Sequence, residues 1–276
     1  MPELPEVETV RRTLAPALGA TIATVWHSGK PLRLNRAVPV AAIRRAAGGR
    51  AITGVRRLGK YLLVDVDGPR SLLVHLGMSG RFRLCAPGTA RAPHTHVVLR
   101  LADGRELRFS DPRRFGQFDV VTRGDERAHP SLAVLGPDPL EEGLDAATLH
   151  AQARRRKVTL KSFLLDQAVI AGVGNIYASE ALWLARLRPS RRTGRLTEAE
   201  ARLLTRSVRQ VLEHALEHGG TSLKDFVDAD GREGENAEYL RVYGREGEPC
   251  SRCRTAIRRT LIQGRATYFC PTCQLP

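Results

Sequence analysis

The sequence predicts an α+β fold in which strands fill the first half, helices fill the second half, and a cysteine-rich hairpin ends the chain. Three observations predict this fold class. Short apolar or alternating runs closed by Gly, Pro or Asp follow an opening helix. Runs with helical spacing dominate the second half, and two Cys-x-x-Cys pairs stand near the carboxyl end. At 276 residues, the chain can form two domains with sizeable cores.

The opening helix is predicted by an apolar stripe that consists of Val7, Val10, Leu14 and Leu18. Pro5 suits its first turn because the missing N–H would be unpaired there anyway. Glu6 and Glu8 complement the positive end of the helix. Pro2 and Glu3 precede the helix, which therefore does not explain them, and Pro2 is either a functional group or part of an extended leader.

The strands of the first half are predicted at residues 60–68, 71–77, 80–84 and 95–111. Asp103-Gly104 separates two alternating runs, which indicates a two-residue hairpin. Short strands with this spacing are typical of a β-sandwich or a barrel. We therefore place an amino-terminal domain at 1–134 and a linker at 135–150, where the stretch at 136–145 is rich in turn formers and acids.

The region 151–240 is predicted to be helical. Residues 160–170 have helical spacing and are expected to form a helix that ends at Gly172-Val173-Gly174. Asn175 is then placed to cap a second helix over 176–187.

A third, longer helix is predicted after the capping box of Thr197 and Glu200, and Gly219-Gly220 stops it. From Ser222 to Glu248 the sequence turns polar and Gly-rich. This composition predicts a mobile loop that includes Asp228–Glu235.

The charge balance indicates a polyanionic partner. The chain has 44 Lys and Arg against 29 Asp and Glu, a net charge of +15 and a pI near 10.6. Nucleic acid is the usual partner of such a protein, although a ribosome-like or purely solubilising role gives the same balance. The excess of Arg over Lys suits forked phosphate contacts or reflects a GC-rich genome.

The location is predicted to be cytoplasmic, with reduced thiols. The start has no basic-then-apolar signal segment, and no apolar run approaches the ~18 residues that a membrane helix needs. We therefore expect no membrane partner, and no segment signals a dimer.

Four cysteines in the region 241–276 have the spacing of a zinc site: Cys250, Cys253, Cys270 and Cys273. Four thiolates in two close pairs make a closed tetrahedral site, so we predict one structural Zn²⁺. The alternative is two disulfides, which a cytoplasmic setting disfavours. Cys85 is left over and is predicted to be a small buried apolar residue.

The segment between the cysteine pairs alternates like a hairpin with Gln263-Gly264 near its tip. Arg258, Arg259 and Arg265 would stand on this metal-braced ribbon. Each either reaches a phosphate or belongs to a solvated face.

Six motifs together resemble those of bacterial formamidopyrimidine-DNA glycosylase. They are PELPEVETVRR at the start, GKYLL at 59–63, HLGMSGRF at 75–82, DPRRFG at 111–116, AGVGNIYASEAL at 171–182 and GRATYFCPTCQ in the terminal ribbon. They run in the family's order across nearly the whole chain, and the first is highly specific.

This resemblance implies an N-terminal β-sandwich with flanking helices and a C-terminal helix-two-turn-helix domain that carries the four-cysteine zinc-finger hairpin. It implies a bifunctional glycosylase and AP lyase of base excision repair, whose partner is damaged double-stranded DNA. The substrates would be oxidised purines, chiefly 8-oxoguanine opposite cytosine and ring-opened purines. We expect a monomer in the bacterial cytoplasm, associated with the nucleoid through DNA.

The resemblance also implies the catalytic residues. The Pro2 amine, freed when the initiator methionine is removed, would attack C1′ of the damaged nucleotide, and Glu3 would donate a proton. Lys60 would contact the lesion's phosphate and assist β-elimination, although a Lys beside a strand is more often a solvated edge. Arg265 would bind phosphate and support δ-elimination. Glu6 would position water or the nucleophile, or it only stabilises the helix start.

The DNA contacts implied by the resemblance fall into two sets. Met78, Phe115 and Arg113 match the wedge that fills the hole left by a flipped nucleotide, with Arg113 facing the orphaned cytosine. His94, Lys157 and Asn175 match contacts to the DNA backbone. By residue type alone, Met78 and Phe115 would be assigned to the core.

Two rival functions remain. The sister enzyme for oxidised pyrimidines shares the fold and the chemistry, but Leu4 in place of Gly, and Phe115 after two arginines, favour the purine enzyme. A zinc-ribbon DNA-binding protein without activity is the other rival. The presence of Pro2, Glu3 and Lys60 argues against it, as does Arg265.

Overall fold

The computed structural model describes residues 1–33, 36–141, 144–223 and 226–275. It has two compact units. The sheet unit contains Met1–Ala133 and His218–Glu235, and the helical unit contains Val134–Glu217 and Asn236–Pro276. The four-part division of the chain made from the sequence stays a prediction. Residues 142 and 143 of its linker and 224 and 225 of its loop lie outside the described residues.

The sheet unit confirms the α+β class with three α-helices and eight strands in its described part. These are α1 (Leu4–Thr13), β1 (Thr21–His27), α2 (Val40–Ala47), β2 (Arg50–Leu58), β3 (Tyr61–Val66), β4 (Arg70–His75), β5 (Arg81–Cys85), β6 (Thr95–Leu101), β7 (Glu106–Ser110), β8 (Gln117–Thr122) and α3 (Pro130–Ala133). The strands are hydrogen-bonded in the order β5-β7-β6-β1-β2-β3-β4-β8, and all neighbours are antiparallel.

The eight strands form two four-stranded halves that pack face to face. The halves meet at β1 and β2, where Thr21 pairs with Ala51 and Ile22 pairs with Arg50. Phe82 of β5 and Phe109 of β7 have ring centroids 6.0 and 6.1 Å from that of Phe118 in β8. Since β5 and β8 stand at opposite ends of the hydrogen-bonded order, the sheet folds back on itself as a sandwich around a shared apolar core.

Helix α1 begins as predicted, with Pro5 in its first turn, but it is shorter than the apolar stripe. The helix ends before Leu14, a 3₁₀ turn follows at Ala15–Ala17, and Leu18 is 48% exposed. Pro16 explains the difference, because it has no N–H for the next helical bond and restricts the residue before it. The prediction that Leu18 continues the helical stripe was wrong.

The β6–β7 hairpin has a three-residue loop instead of the predicted two-residue loop. The Gly104 N–H donates to the Leu101 carbonyl at 3.1 Å, and the Leu101 N–H donates to the Arg105 carbonyl at 2.8 Å. Gly104 has φ +86°, which only glycine adopts readily. The turn is therefore one residue longer than Asp103-Gly104 suggested.

The helical unit contains four described α-helices and a two-stranded ribbon. They are α4 (Ala146–Arg154), α5 (Leu160–Leu165), α6 (Asn175–Leu184), α7 (Glu198–Glu217), β9 (Arg258–Ile262) and β10 (Arg265–Phe269). The capping box before α7 is confirmed. The Thr197 N–H donates to Glu200 Oε2 at 2.9 Å, and the Glu200 N–H donates back to Thr197 Oγ1 at 3.3 Å.

Helix α5 stops well before the predicted end at Gly172. Asp166 follows the helix, and its Oδ1 accepts from the Ala168 N–H at 3.0 Å. The Gln167 side chain accepts from the Gly172 N–H at 2.9 Å and donates to the Val173 carbonyl at 2.8 Å. These side-chain bonds replace helical backbone bonds, so turns occupy the rest of the segment.

Asn175 does not cap α6, contrary to the prediction. It is the first helical residue, and Gly174 occupies the capping position. The Asn175 Nδ2 donates instead to the carbonyl of Ala266 in β10 at 2.9 Å. A tertiary acceptor has taken the side chain that local sequence assigned to the helix end. The helix also ends at Leu184, three residues before the predicted Leu187.

Candidate active site and metal centre

The start of α1 carries a buried cluster of Pro2, Glu3 and Glu6. Glu3 caps the helix. Its backbone N–H donates to Glu6 Oε2 at 2.7 Å, and its own carboxyl accepts from the Glu6 backbone N–H in a reciprocal capping box. Both carboxyl groups are therefore fixed beside Pro2.

The second oxygen of Glu6 binds a distant segment of the same unit. Glu6 Oε1 accepts from the Thr221 N–H at 2.8 Å. Gly220 precedes it with φ +85°, and a Cβ there would lie 3.1 Å from Glu6 Oε1. The glycine predicted as a helix stop thus also permits the close approach of this backbone to Glu6.

The segment predicted as a mobile loop is hydrogen-bonded to the sheet unit in its described part. The Ala229 N–H donates to Thr13 Oγ1 at 3.1 Å, and the Ala229 carbonyl accepts from the Leu84 N–H at 3.2 Å. Asp228 Oδ1 accepts from two N–H groups of its own turn, those of Asp230 and Arg232, each at 2.9 Å. The turn at 228–232 is therefore held by the Asp228 side chain and anchored to the sheet unit at Ala229.

Lys60 lies in the tight turn between β2 and β3 and is only 6% exposed. This burial rules out the solvated strand edge as its environment. Gly59 has φ +56°, and its carbonyl accepts from Arg57 at 3.3 Å. Arg57 also donates to Glu8 Oε2 at 3.1 Å, which ties this turn to α1.

Glu8 is ionised in the folded protein. Its burial favours the neutral carboxyl, but hydrogen bonds from Arg11 at 2.8 Å and Arg12 at 2.9 Å oppose this and hold its pKa at about 2. The charge of Arg57 adds to the effect. Glu8 is thus a fixed negative charge that three arginines share.

His75 is a residue that the sequence reasoning missed. It ends β4 and is partly buried, and burial together with the charges of Lys60 and Arg33 lowers its pKa to about 3. The ring is therefore neutral, and its Nδ1 accepts from the Gly77 N–H at 3.0 Å. The only available signal was its place at the head of the HLGMSG motif. His75 holds the backbone that leads to Met78.

The three residues matched to a wedge stand on two loops of the sheet unit and are not in its core. Met78 is 38% exposed, Arg113 is exposed and Phe115 is partly buried. The Arg113 guanidinium lies 4.8 Å from the centroid of the Phe115 ring. The core assignment by residue type was wrong for Met78, because its loop projects beyond the end of β4.

His94, matched to a backbone contact, lies beside the same end of the sheet. It is exposed, has φ +60°, and its carbonyl accepts from the Asp111 N–H at 2.9 Å. The side chain is therefore held next to the 111–116 loop and is open to solvent.

In the helical unit, Asn175 and Arg265 are brought together by the hydrogen bond to Ala266, which follows the exposed Arg265. The fully buried Lys161 supports this junction. Its Nζ lies 2.7 Å from the Asn175 carbonyl and 2.5 Å from Ser179 Oγ. Nothing in the local sequence marks Lys161, because its partners lie on another helix.

Lys157 is exposed in the segment before α5. Its carbonyl accepts from Arg192 Nη1 at 2.9 Å, which fixes its backbone. The structure leaves the ammonium group at the surface of the helical unit.

The four cysteine sulfurs of the ribbon all lie within 4.8 Å of one another. The Cys253 and Cys270 sulfurs are 3.4 Å apart, and those of Cys250 and Cys273 are 3.9 Å apart. Tetrahedral Zn–S bonds of ~2.3 Å require sulfurs ~3.8 Å apart, so the cluster fits one structural zinc ion. All four cysteines are free thiols, as is the buried Cys85, so the disulfide alternative is wrong.

The carboxyl end of α6 and the segment just after it support the two cysteine pairs. The Arg252 guanidinium lies 3.8 Å from the Trp183 ring centroid and donates to the Trp183 and Leu184 carbonyls at 2.7 and 3.2 Å. Gln274 accepts from the Cys270 N–H at 2.8 Å and donates to a carbonyl just beyond α6 at 2.9 Å. These bonds fix the metal-binding turns.

The predicted hairpin between the cysteine pairs is confirmed. Ile262 pairs with Arg265 across a two-residue loop in which Gln263 and Gly264 both have positive φ, +49° and +71°. Arg258, Arg259 and Arg265 are all exposed on the ribbon.

Three family models match the chain in order. They are the formamidopyrimidine-DNA glycosylase N-terminal domain at residues 1–118, the H2TH domain of the same enzymes at 135–227, and the zinc finger found in FPG and IleRS at 247–275. Together they span most of the chain.

Similar proteins cover the chain from end to end. The formamidopyrimidine-DNA glycosylase of Xanthomonas oryzae pv. oryzae is 46% identical over 99% of this chain and 100% of its own length. The crystal structure of the MutM (FPG) protein from Thermus thermophilus has a TM-score of 0.88 and 46% identity, covering 99% and 98% of the two chains. A mutant Lactococcus lactis FPG in complex with Fapy-dG containing DNA has a TM-score of 0.92 and 34% identity, covering both chains fully.

A sandwich unit, an H2TH domain and a four-cysteine zinc finger on one basic chain define a DNA glycosylase of base excision repair. This chain belongs to the formamidopyrimidine-DNA glycosylase family. It acts on damaged DNA, and the family also has AP lyase activity. Among the described residues, no helix is long and apolar enough to cross a membrane.

Proposed function

We propose that this enzyme removes oxidised purines, chiefly 8-oxoguanine opposite cytosine and formamidopyrimidines, and cleaves the resulting abasic strand by β,δ-elimination. The observation that carries the proposal is the buried cluster of Pro2, Glu3 and Glu6 at the start of α1. The complex of the Lactococcus lactis relative with Fapy-dG containing DNA supports the purine substrate.

The nucleophile is the Pro2 amine, which removal of Met1 frees. An α-amino group titrates near 7.7–8.0, so a substantial minority is neutral at pH 7, and the positive end of α1 favours the neutral form. The nitrogen bonds to C1′ of the lesion while the bond from C1′ to the base breaks. Ring opening then gives a Schiff base between Pro2 and the deoxyribose.

The carboxyl groups beside Pro2 take two roles. Glu3 donates the proton that the opening sugar needs. Glu6 holds both the Glu3 backbone and the Thr221 backbone, so its two hydrogen bonds support a positioning role in addition to stabilising the helix start.

Strand cleavage uses cations at the phosphates. Lys60 contacts the lesion's phosphate and assists β-elimination from its buried turn. Arg265 stabilises phosphate charge during δ-elimination, because a guanidinium does not readily release a proton.

Access to the lesion requires the nucleotide to leave the duplex. Met78 and Phe115 supply apolar surface for the vacated space, and Arg113 supplies a fork for the orphaned cytosine. The exposure of this group at the end of the sheet supports the role.

His94, Lys157 and Asn175 bind the DNA backbone, with Asn175 at the phosphate-binding end of α6.

The enzyme works as a monomer in the bacterial cytoplasm, where its net charge of +15 holds it near nucleoid DNA.

The proposal is tested by borohydride trapping on duplexes that carry 8-oxoguanine or thymine glycol. We expect a covalent adduct on 8-oxoguanine that is lost in Pro2→Gly and kept in the matched control Pro16→Gly, whose proline lies in an exposed turn. Trapping on thymine glycol alone would identify the pyrimidine enzyme. The absence of an adduct on both duplexes would refute the proposed chemistry and favour the rival function, a DNA-binding protein without activity.

A further inference from the structure

Two loops of the sheet unit carry all three wedge residues. The first connects β4 to β5 and contains Met78, and the second connects β7 to β8 and contains Arg113 and Phe115. A wedge made from two loops works only if both loops hold one arrangement. Asp111, the first residue of the second loop, is completely buried between them.

The Asp111 carboxyl group bonds to both loops at once. Its Oδ1 accepts from Ser79 Oγ at 2.7 Å and from the Arg113 N–H at 3.2 Å. Its Oδ2 accepts from the Gly116 N–H at 2.7 Å. Three donors from residues adjacent to or within the wedge therefore converge on one side chain.

The backbone of Asp111 is itself fixed from the neighbouring strand. Its carbonyl accepts from His96 Nε2 at 3.1 Å and from the Arg114 N–H at 3.2 Å. Since a carbonyl only accepts, His96 carries its proton on Nε2. Burial lowers the pKa of His96, so the ring is neutral and its Nδ1 accepts from Ser28 Oγ at 3.0 Å.

The two loops also touch through their backbones. Gly77 has φ +67°, and a Cβ there would lie 2.5 Å from the Gly116 nitrogen and 2.6 Å from the Phe115 carbonyl carbon. A Cβ at Gly116 would lie 2.4 Å from Phe109. Because the two loops are in close backbone contact at Gly77, we expect a change at Asp111 to displace both.

We propose that Asp111 is the positioning residue of the wedge, which holds Met78, Arg113 and Phe115 in their working arrangement before DNA binds. The proposal rests on the wedge role given above. Preordering the loops removes the cost of ordering them while the nucleotide flips. Asp111 touches no DNA in this role and acts only through the two loops.

The test is Asp111→Asn, which keeps the side chain's size but replaces one acceptor oxygen with a donor that faces donors. Single-turnover excision of 8-oxoguanine is measured in an intact duplex and opposite a two-nucleotide gap, where the lesion is already unstacked. A 2-aminopurine beside the lesion reports wedge insertion by its fluorescence. We expect excision from the duplex to slow about tenfold and the fluorescence rise to shrink, while excision at the gap changes less than about twofold.

The matched control is Asp65→Asn. Asp65 is also a buried aspartate of the sheet unit, and it accepts from Ser71 Oγ at 2.5 Å and Arg56 Nε at 2.7 Å. This control should lower the melting temperature without changing the ratio of duplex to gap rates. Equal slowing of Asp111→Asn on both substrates would overturn the proposal.

Two further variants separate this inference from the proposed function. Ser79→Ala removes one donor and leaves the carboxyl bound, so it should change the duplex to gap ratio in the same direction but less, even if Asp111→Asn folds poorly. Phe115→Ala tests the wedge itself. No effect of Phe115→Ala would refute the wedge, whereas an effect of Phe115→Ala without one from the folded Asp111→Asn would refute only the role of Asp111.

Discussion

Individual side chains in this enzyme are held by partners far away in sequence, and this limits what local patterns reveal. Glu6 was expected to serve either the site or the helix start, and its two oxygens bind Glu3 nearby and Thr221, 215 positions away. Asn175 was expected to cap α6, but its side-chain amide donates to the carbonyl of Ala266 in the ribbon. The capping box of Thr197 and Glu200 was readable from sequence, whereas these tertiary partners were not.

Because His75 is neutral in the folded protein, we predict that acid lowers the stability of the sheet unit. The pKa of His75 is about 3 in the folded protein against an ordinary 6.5. Between these two pH values the unfolded chain therefore binds a proton at His75 that the folded chain does not bind. The free energy of unfolding should therefore fall as pH drops from about 6.5 toward 3, by at most ~1.4 kcal/mol per pH unit from this residue. Denaturant unfolding at pH 7 and 5 should show a smaller loss in His75→Gln than in the wild type, and equal losses would contradict this.

The proposed role of Arg113 predicts a preference for cytosine opposite the lesion. A bidentate contact to a base edge is worth ~1–3 kcal/mol, so Arg113→Ala should lower the preference for cytosine at least several-fold. Excision rates opposite each of the four bases measure this preference. Arg45→Ala removes an equal charge from the exposed face of α2 and should keep it. Equal rates opposite all four bases in the wild type would remove the role of Arg113.

At the level of elements, α6 organises the helical unit. Its amino end bonds to β10 through Asn175, and its carboxyl end supports the first cysteine pair through Arg252. The hairpin was predictable because cysteine spacing and a Gln-Gly turn are local signals. The end of α5 was not, because Asp166 and Gln167 form side-chain bonds that replace the helix without altering its apolar pattern.

For α6, we predict that the buried carboxyl group of Glu180 stabilises the segment that precedes the ribbon. Glu180 accepts from the consecutive N–H groups of Arg241, Val242 and Tyr243 at 2.8–2.9 Å, and burial raises its pKa although these bonds oppose the rise. Glu180→Gln should cost ~1–3 kcal/mol of stability and speed zinc release to a chelator, because the segment before the ribbon loosens.

The control for this change is Glu213→Gln, since Glu213 is about half exposed and pairs only with Arg209 within α7 in the described structure. It should leave the melting temperature and the zinc release rate almost unchanged. Zinc release from Glu180→Gln at the wild-type rate would show that the carboxyl does not support the ribbon.

For the whole molecule, the α+β class and the zinc finger were predictable from periodicity and cysteine spacing, and the helix-two-turn-helix region was predicted by the family resemblance of the motifs. The spacing of the strands left sandwich and barrel open, because that choice depends on how the two four-stranded halves pack, and only the family resemblance predicted the sandwich. The segment 218–235 belongs to the sheet unit, to which it is tied by long-range hydrogen bonds such as that from Ala229 to Thr13. Its polar composition did not predict these bonds.

Metal binding should separate the two units experimentally. Cys253→Ser removes one of the four thiolates, so zinc content and DNA affinity should fall while the sheet unit stays folded. Metal analysis and a DNA titration measure the first two, and limited proteolysis measures the third. Full zinc content in the variant would contradict the assignment of Cys253 as a ligand.

The proposed covalent role of Pro2 is tested most directly by locating the borohydride-trapped DNA on the protein. Mass spectrometry of the digested adduct should find the reduced deoxyribose on the amino-terminal peptide, attached to the nitrogen of Pro2, with Met1 absent. An adduct on a lysine side chain, or incision of 8-oxoguanine duplexes by protein that keeps Met1, would contradict the account.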